Sequence, residues 1–172
     1  MKKITTLNSI LAILLATLSV SAFAGSNNYP ASMCVTWNSG QPTPVLGSGR
    51  IFNPSTSRMY VDCPAIRDDF DGFLHTSAVE SSWISAIDTN PTDAVCSTLI
   101  KYRHTGFTST AQSATAGQQC TTINSGASLY AQKLNQGSLL LGHSDYHLYF
   151  SVFVPGTYNG ARSAVVTYNV TQ

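Results

Sequence analysis

The stretch YHLYFSVFV, residues 146–154, decides the fold class. Successive side chains of an extended strand point to opposite faces of its sheet. One face of this stretch would carry the apolar or aromatic set Tyr146, Leu148, Phe150, Val152 and Val154. The other face would carry His147, Tyr149, Ser151 and Phe153. The alternation predicts a central β-strand with Leu148, Phe150 and Val152 in the core.

The residues that follow predict how this strand ends. Pro155-Gly156 stops it, because proline cannot donate a ladder hydrogen bond and glycine favours turns. Asn159-Gly160 is typical of a two-residue hairpin turn, since both residues tolerate a positive φ. The chain is therefore expected to reverse into a last strand over residues 163–170.

Eight more stretches predict short strands, because they are rich in Val, Ile, Thr and aromatics and are bounded by Gly, Pro, Asn, Asp or Ser. They are residues 32–37, 49–52, 58–63, 79–88, 94–103, 119–123, 128–132 and 138–141. Residues 40–49 and 105–119 are predicted as loops. Beyond the N-terminal apolar run, no segment keeps a helical period over three turns. The pattern predicts an all-β fold, an antiparallel β-sandwich of the jelly-roll or Greek-key type.

The N-terminal residues predict export. Lys2 and Lys3 precede the apolar run ILAILLATLSV of residues 10–20, and Ala22-Phe23-Ala24 is a small-x-small cleavage site. The run is about half the length of a membrane-spanning helix. We therefore expect a signal peptide over residues 1–24, a single domain over residues 25–172, no transmembrane segment after cleavage, and a periplasmic or secreted location.

The charge balance disfavours a polyanionic partner. Lys2 and Lys3 leave with the signal peptide, so seven basic residues remain against eight acidic ones. A protein that binds nucleic acid needs a basic surplus to contact the phosphate backbone. Nucleic acid is therefore excluded as an expected partner.

Four cysteines, Cys34, Cys63, Cys96 and Cys120, predict two disulfides, because an even number in an exported chain is typical of a disulfide framework. Metal-binding cysteines usually come in close pairs, which this chain lacks. Of the three pairings, the sequential one, Cys34–Cys63 and Cys96–Cys120, joins neighbouring strands without crossing half of the domain.

Three features of residues 29–68 form a recognisable layout. An early cysteine lies in the segment YPASMC of residues 29–34, the segment VDCP of residues 61–64 ends a strand, and Arg67-Asp68 follows. This layout resembles small uncharacterised exported proteins of Gram-negative bacteria. The resemblance implies no activity.

Two groups of residues are candidate metal ligands, although no cofactor is expected. His143, Asp145 and His147 would share a face of an extended strand and could bind zinc or iron. Same-face neighbours on one strand are about 7 Å apart, however, so a straight strand spreads them too widely for one ion. The alternative is a turn that enters a strand, with both imidazoles in solvent.

Asp68, Asp69 and Asp71 form the second group, an acidic cluster whose oxygen atoms suit calcium. Its spacing departs from that of an EF-hand loop, and the alternative is a solvated turn.

Hydrolytic motifs are incomplete. Gly142-His143-Ser144 begins like a nucleophile elbow, but Tyr146 stands where the closing glycine belongs. Glu80 is the only glutamate, which disfavours a pair of glycosidase carboxylates.

Exposed aromatics are the remaining functional candidates. Trp37 and Trp83 could stack against a sugar ring, whereas the alternative is ordinary packing in the core. We therefore expect a non-catalytic binding or envelope-associated module with a protein or glycan ligand at the cell surface. A small metal-dependent or hydrolytic exported enzyme is the alternative.

Overall fold

The fold is given by a computed structural model, which describes residues 25–37, 39–66, 78–103, 112–123, 130–140 and 146–172. These ranges contain strands and one short 3-10 helix, Ala31–Met33, which follows Pro30. The strands in chain order are β1 Ser26–Pro30, β2 Val35–Thr36, β3 Val45–Gly47, β4 Arg50–Phe52, β5 Met59–Ala65, β6 Ala78–Val79, β7 Ser81–Ile87, β8 Cys96–Arg103, β9 Gln112–Thr115, β10 Gln119–Cys120, β11 Ala131–Asn135, β12 Leu139–Leu140, β13 His147–Val154 and β14 Ala164–Thr171. The prediction of an all-β fold is confirmed.

Most strands belong to two antiparallel sheets of six strands each. Sheet A has the order β11-β7-β14-β4-β3, and β1 also pairs with β14. Sheet B has the order β10-β8-β13-β5-β2, and β9 also pairs with β8. A separate two-stranded pair joins β6 to β12.

The core lies between sheets A and B. Inward side chains such as Ile84 of sheet A and Val61 of sheet B are fully buried. The Phe150 and Tyr168 rings meet edge-on with centroids 5.6 Å apart, and the Tyr168 hydroxyl donates to the Pro64 carbonyl at 2.7 Å. Because Tyr168 lies in sheet A and both partners lie in sheet B, these contacts hold the sheets together as a sandwich. Burial raises the pKa of Tyr168 far above its ordinary value, so its hydroxyl remains a neutral donor.

Strand β13 is central, as its alternation predicted. It pairs with β5 on one side and β8 on the other. Leu148, Phe150 and Val152 are buried, and the intervening Tyr149 and Phe153 are partly exposed. The prediction of its inward face is confirmed.

Both disulfides have the predicted sequential pairing. Cys34 bonds to Cys63 where β2 meets β5, and Cys96 bonds to Cys120, its direct neighbour across the β8–β10 pair. They close loops of 29 and 24 residues, which the chain-entropy model values at roughly 3–4 kcal/mol each.

The predicted turn at residues 159–160 is confirmed. Tyr158 and Ala161 exchange backbone hydrogen bonds of 3.1 and 2.9 Å around it. Asn159 and Gly160 have φ values of 50° and 77°, as a type I′ turn requires.

Several predicted boundaries are wrong. Residues 79–88 form two strands, because the chain leaves the β6–β12 pair at Glu80 and joins sheet A. The predicted loop 40–49 contains β3, which pairs with β4 around a second turn of positive φ at Ser48 and Gly49. The predicted loop 105–119 contains β9. The strand expected at residues 128–132 begins at Ala131. Of the strand expected at 32–37, only β2 at Val35–Thr36 forms, because Ser32 and Met33 belong to the 3-10 helix.

Residues 1–24 lie outside the described residues, so the signal peptide stays a prediction. In the ranges that are described, no helix has the length and the apolar character needed to cross a bilayer.

Candidate functional site

The two candidate tryptophans lie on opposite faces of the sandwich. Trp37 follows β2 and lies beside Tyr60 on the outer face of sheet B. Trp83 is in β7, between the inward residues Ser82 and Ile84, and therefore points to the outer face of sheet A. The two aromatic surfaces are separate candidate sites.

The metal candidates lie largely outside the described residues. This holds for His143 and Asp145, for the acidic cluster Asp68, Asp69 and Asp71, and for Ser144 of the incomplete nucleophile motif. His147 is described and is an exposed residue at the start of β13. Across the described ranges, no three His, Cys, Asp or Glu side chains are grouped closely enough to hold an ion. The expectation of no cofactor and the alternative calcium and zinc sites therefore all stay predictions.

A groove of about 440 Å³ crosses the outer face of sheet A. Four strands that run side by side, β1, β14, β7 and β11, contribute outward side chains to it. Apart from one tryptophan and one lysine, those side chains carry only hydroxyl or amide groups. They are Ser26, Asn28, Ser81, Trp83, Lys133, Asn135, Asn169 and Thr171.

Trp83 is the aromatic element of this groove. Its side chain is partly exposed, and the Lys133 ammonium lies 4.7 Å from the centroid of its ring. In the β7–β11 register, Asn135 is directly opposite Trp83 and Lys133 is opposite Ser85. Lys133 therefore reaches the ring diagonally across the strand pair, at a distance typical of a cation–π contact.

The wall formed by β1 and β14 is ordered by its own hydrogen bonds. Asn169 is only 3% exposed, and the two hydrogens of its Nδ2 are shared among three acceptors: Ser26 Oγ at 3.0 Å, the Asn27 carbonyl at 3.1 Å and Asn28 Oδ1 at 3.0 Å. Thr171 Oγ1 lies 3.3 Å from Ser26 Oγ. Because these polar atoms are already in place, little side-chain entropy is lost when a ligand binds against them.

The outer face of sheet B carries an aromatic strip, defined as Trp37, Tyr60 and Phe153. Neighbouring ring centroids are 6.4 and 6.1 Å apart, and the rings are tilted by about 50° to one another. Trp37 is 68% exposed. The Arg58 guanidinium lies 5.1 Å from the Phe153 ring and makes two hydrogen bonds to Asp93, so that end of the strip is covered by an ion pair.

Asp62 and Tyr149 also point outward from sheet B. Burial raises the pKa of Asp62, against the opposing effect of its hydrogen bond with Ser151. Burial also raises the pKa of Tyr149, and the nearby Asp62 charge adds to that shift. Asp62 is therefore a partly desolvated carboxylate, and the strand pairing places Val35 and Ser151 beside it.

Sequence reasoning found Trp83 and missed the rest of the groove. Lys133, Asn28 and Asn169 were not predicted as site residues. A signal was present: alternate residues of β14, Thr167, Asn169 and Thr171, are all polar, which indicates one polar face. The signal does not tell which other strands share that face.

No family model and no curated protein sequence matches this chain. Among solved structures it is similar to a family two carbohydrate esterase from Cellvibrio japonicus, with 7% sequence identity and a TM-score of 0.44. The similarity covers 86% of this chain and 33% of the esterase chain, so this chain spans about a third of the length of that protein. A similarity of this degree does not bear on the function.

Proposed function

We propose that the protein is an exported, non-catalytic module that binds glycans through the groove on the outer face of sheet A. The observation that carries the proposal is the position of Trp83 in a concave surface, among hydroxyl and amide groups from four adjacent strands. A sugar presents an apolar CH face and a rim of hydroxyls. An aromatic ring and ordered polar groups complement those two features.

The size and chemistry of the groove support a bound oligosaccharide. About 440 Å³ is within the range of small-molecule sites, roughly 300–1,000 Å³. The amides of Asn28 and Asn135 can each donate and accept, as a sugar hydroxyl does, so they can form paired hydrogen bonds with vicinal hydroxyls.

Binding is favoured over hydrolysis at this groove. Glycoside hydrolysis ordinarily needs two carboxylates, and metal-assisted hydrolysis needs His, Asp or Glu ligands. Among the described residues, the lining contains neither a carboxylate nor an imidazole.

The test compares single substitutions of the two tryptophans. Mature protein comprising residues 25–172, with both disulfides formed, is screened on a glycan array, and hits are titrated by calorimetry. Trp83→Ala should weaken binding at least tenfold, because it removes the stacking surface, whereas Trp37→Ala on the opposite face should leave the affinity unchanged. Thermal melts check that both variants are folded.

Two outcomes would contradict the proposal. If Trp37→Ala abolished binding and Trp83→Ala did not, the aromatic strip on sheet B would be the site. If no glycan bound the wild-type protein, the proposal of a glycan-binding function would be wrong.

A protein ligand is the second candidate function. It is favoured by exposed apolar side chains in and next to β2, the edge strand of sheet B: Met33, Val35 and Trp37 are 40%, 61% and 68% exposed. Apolar patches on a folded surface are typical of protein contacts. Loss of a protein partner in Trp37→Ala, with the partner retained in Trp83→Ala, would support this function.

A further inference from the structure

We infer that the groove selects glycans that carry a carboxylate, with Lys133 as the residue that recognises the acid. This inference rests on the proposed function and names its ligand class. Lys133 is the only charged side chain in the groove lining within the described part of the chain. A ligand that fills the groove therefore meets a positive charge and no negative one.

The position of Lys133 makes this charge available to a ligand. Its ammonium lies 4.7 Å from the Trp83 ring centroid, so it covers part of that ring face, and a sugar that packs against the rest of the indole comes within reach of the ammonium. The salt bridge between described residues, Arg58–Asp93, is on sheet B, and no described carboxylate pairs with Lys133. A carboxylate on the ligand would supply the missing counter-ion and a charge-assisted hydrogen bond.

The other side chains that line the groove are uncharged, so the groove favours a ligand with few negative charges. Ser81, Asn135 and Thr171 offer hydroxyl and amide groups that suit sugar hydroxyls and do not repel an anion. One cation favours about one carboxylate in the groove, as in a uronic acid oligosaccharide. A densely sulfated polymer or a nucleic acid would need several cations.

The experiment uses trisaccharides of galacturonic, glucuronic and mannuronic acid, each with its carboxyl-reduced counterpart. Reduction converts each acid into the neutral sugar with the same ring and linkages, so any affinity difference reports the carboxylate. Wild-type protein should bind at least one acid about threefold to tenfold more tightly than its counterpart, and added salt should reduce the difference. Lys133→Gln should bind both forms equally, and Lys133→Arg should keep the preference.

The outcomes separate this inference from the proposed function. Equal binding of acid and reduced forms by wild-type protein, or a preference that survives in Lys133→Gln, would overturn the inference. Binding of neutral glycans alone, with loss in Trp83→Ala, would overturn it and leave the proposed function standing. No glycan binding by wild-type protein would overturn both.

Discussion

Truncation of Phe150 to alanine tests the position of the core most directly. Phe150 is fully buried in central strand β13, between the sheets, and its ring meets that of Tyr168 edge-on. Phe153 lies on the same strand, three residues later, and points to the outer face. The two residues therefore give a matched pair: the same side chain on the same strand, with opposite burial.

The magnitude follows from what Phe150→Ala removes. Transfer of the phenyl group out of the core costs about 2–3 kcal/mol. A cavity term adds up to about 2 kcal/mol where the surroundings do not collapse, and the lost edge contact with Tyr168 adds about 0.5–1.5 kcal/mol. Partial collapse reduces this total, so we expect Phe150→Ala to lower the free energy of unfolding by about 3–5 kcal/mol. That is a large part of the stability of a small domain.

Urea unfolding of the oxidised mature protein, monitored by tryptophan fluorescence, measures the change. The midpoint should fall sharply in Phe150→Ala with an unchanged slope, and the melting temperature should fall by about 2–4 °C per kcal/mol. Phe153→Ala should cost about 1 kcal/mol or less, since its side chain is partly exposed. Equal losses in the two variants, or a larger loss in Phe153→Ala, would refute the assignment of the inward face.

Three further predictions concern the backbone, a desolvated acid and the N-terminus. A Cβ at Gly156 would collide with the Thr56 carbonyl group, so Gly156→Ala should cost about 1–3 kcal/mol in urea unfolding. Gly117→Ala, which meets nothing within 4 Å, is its control, and equal costs would contradict the clash. Burial raises the pKa of Asp62 above its ordinary 3.8, so the folded state holds this proton more tightly than the unfolded chain does. As the pH rises through the raised pKa, Asp62 ionises and the free energy of unfolding falls. Asp62→Asn should therefore raise the melting temperature relative to wild type at pH 7 and lose that advantage below about pH 3.8; a gain that does not vary with pH would contradict this. N-terminal sequencing of the exported protein should begin at Gly25, and a start at Met1 would contradict the signal peptide.

The sequence was informative wherever the pattern of a short stretch determines its burial or its backbone conformation. The alternation of residues 146–154 identified the buried face of β13, because a strand places every second side chain on one side. Asn159-Gly160 identified a turn, because its two positive φ values are costly for most other residue pairs. Both disulfides were predicted, because the sequential pairing joins neighbouring strands and closes short loops.

Strand boundaries and strands with little apolar character were harder to predict from the sequence. Strand β9 has little apolar character, and Glu80 separates two strands that read as one stretch. In both cases strand formation depends on the neighbouring strand that supplies the hydrogen bonds. Strand β9 pairs with β8, and on either side of Glu80, β6 pairs with β12 and β7 pairs with β14.

The sequence by itself therefore determined the fold class, the inward face of the central strand and the cysteine pairing, and it marked Trp83 as a candidate aromatic. Only the tertiary structure decided what surrounds Trp83. Asn169 and Ser26 share a hydrogen bond although 143 residues separate them, and Lys133 reaches the ring from another strand. The physical reason is that all strands share the same period of two, so a sequence indicates which side chains share a face of their own strand. Which strands become neighbours is decided by long-range pairing and by packing of the whole sandwich.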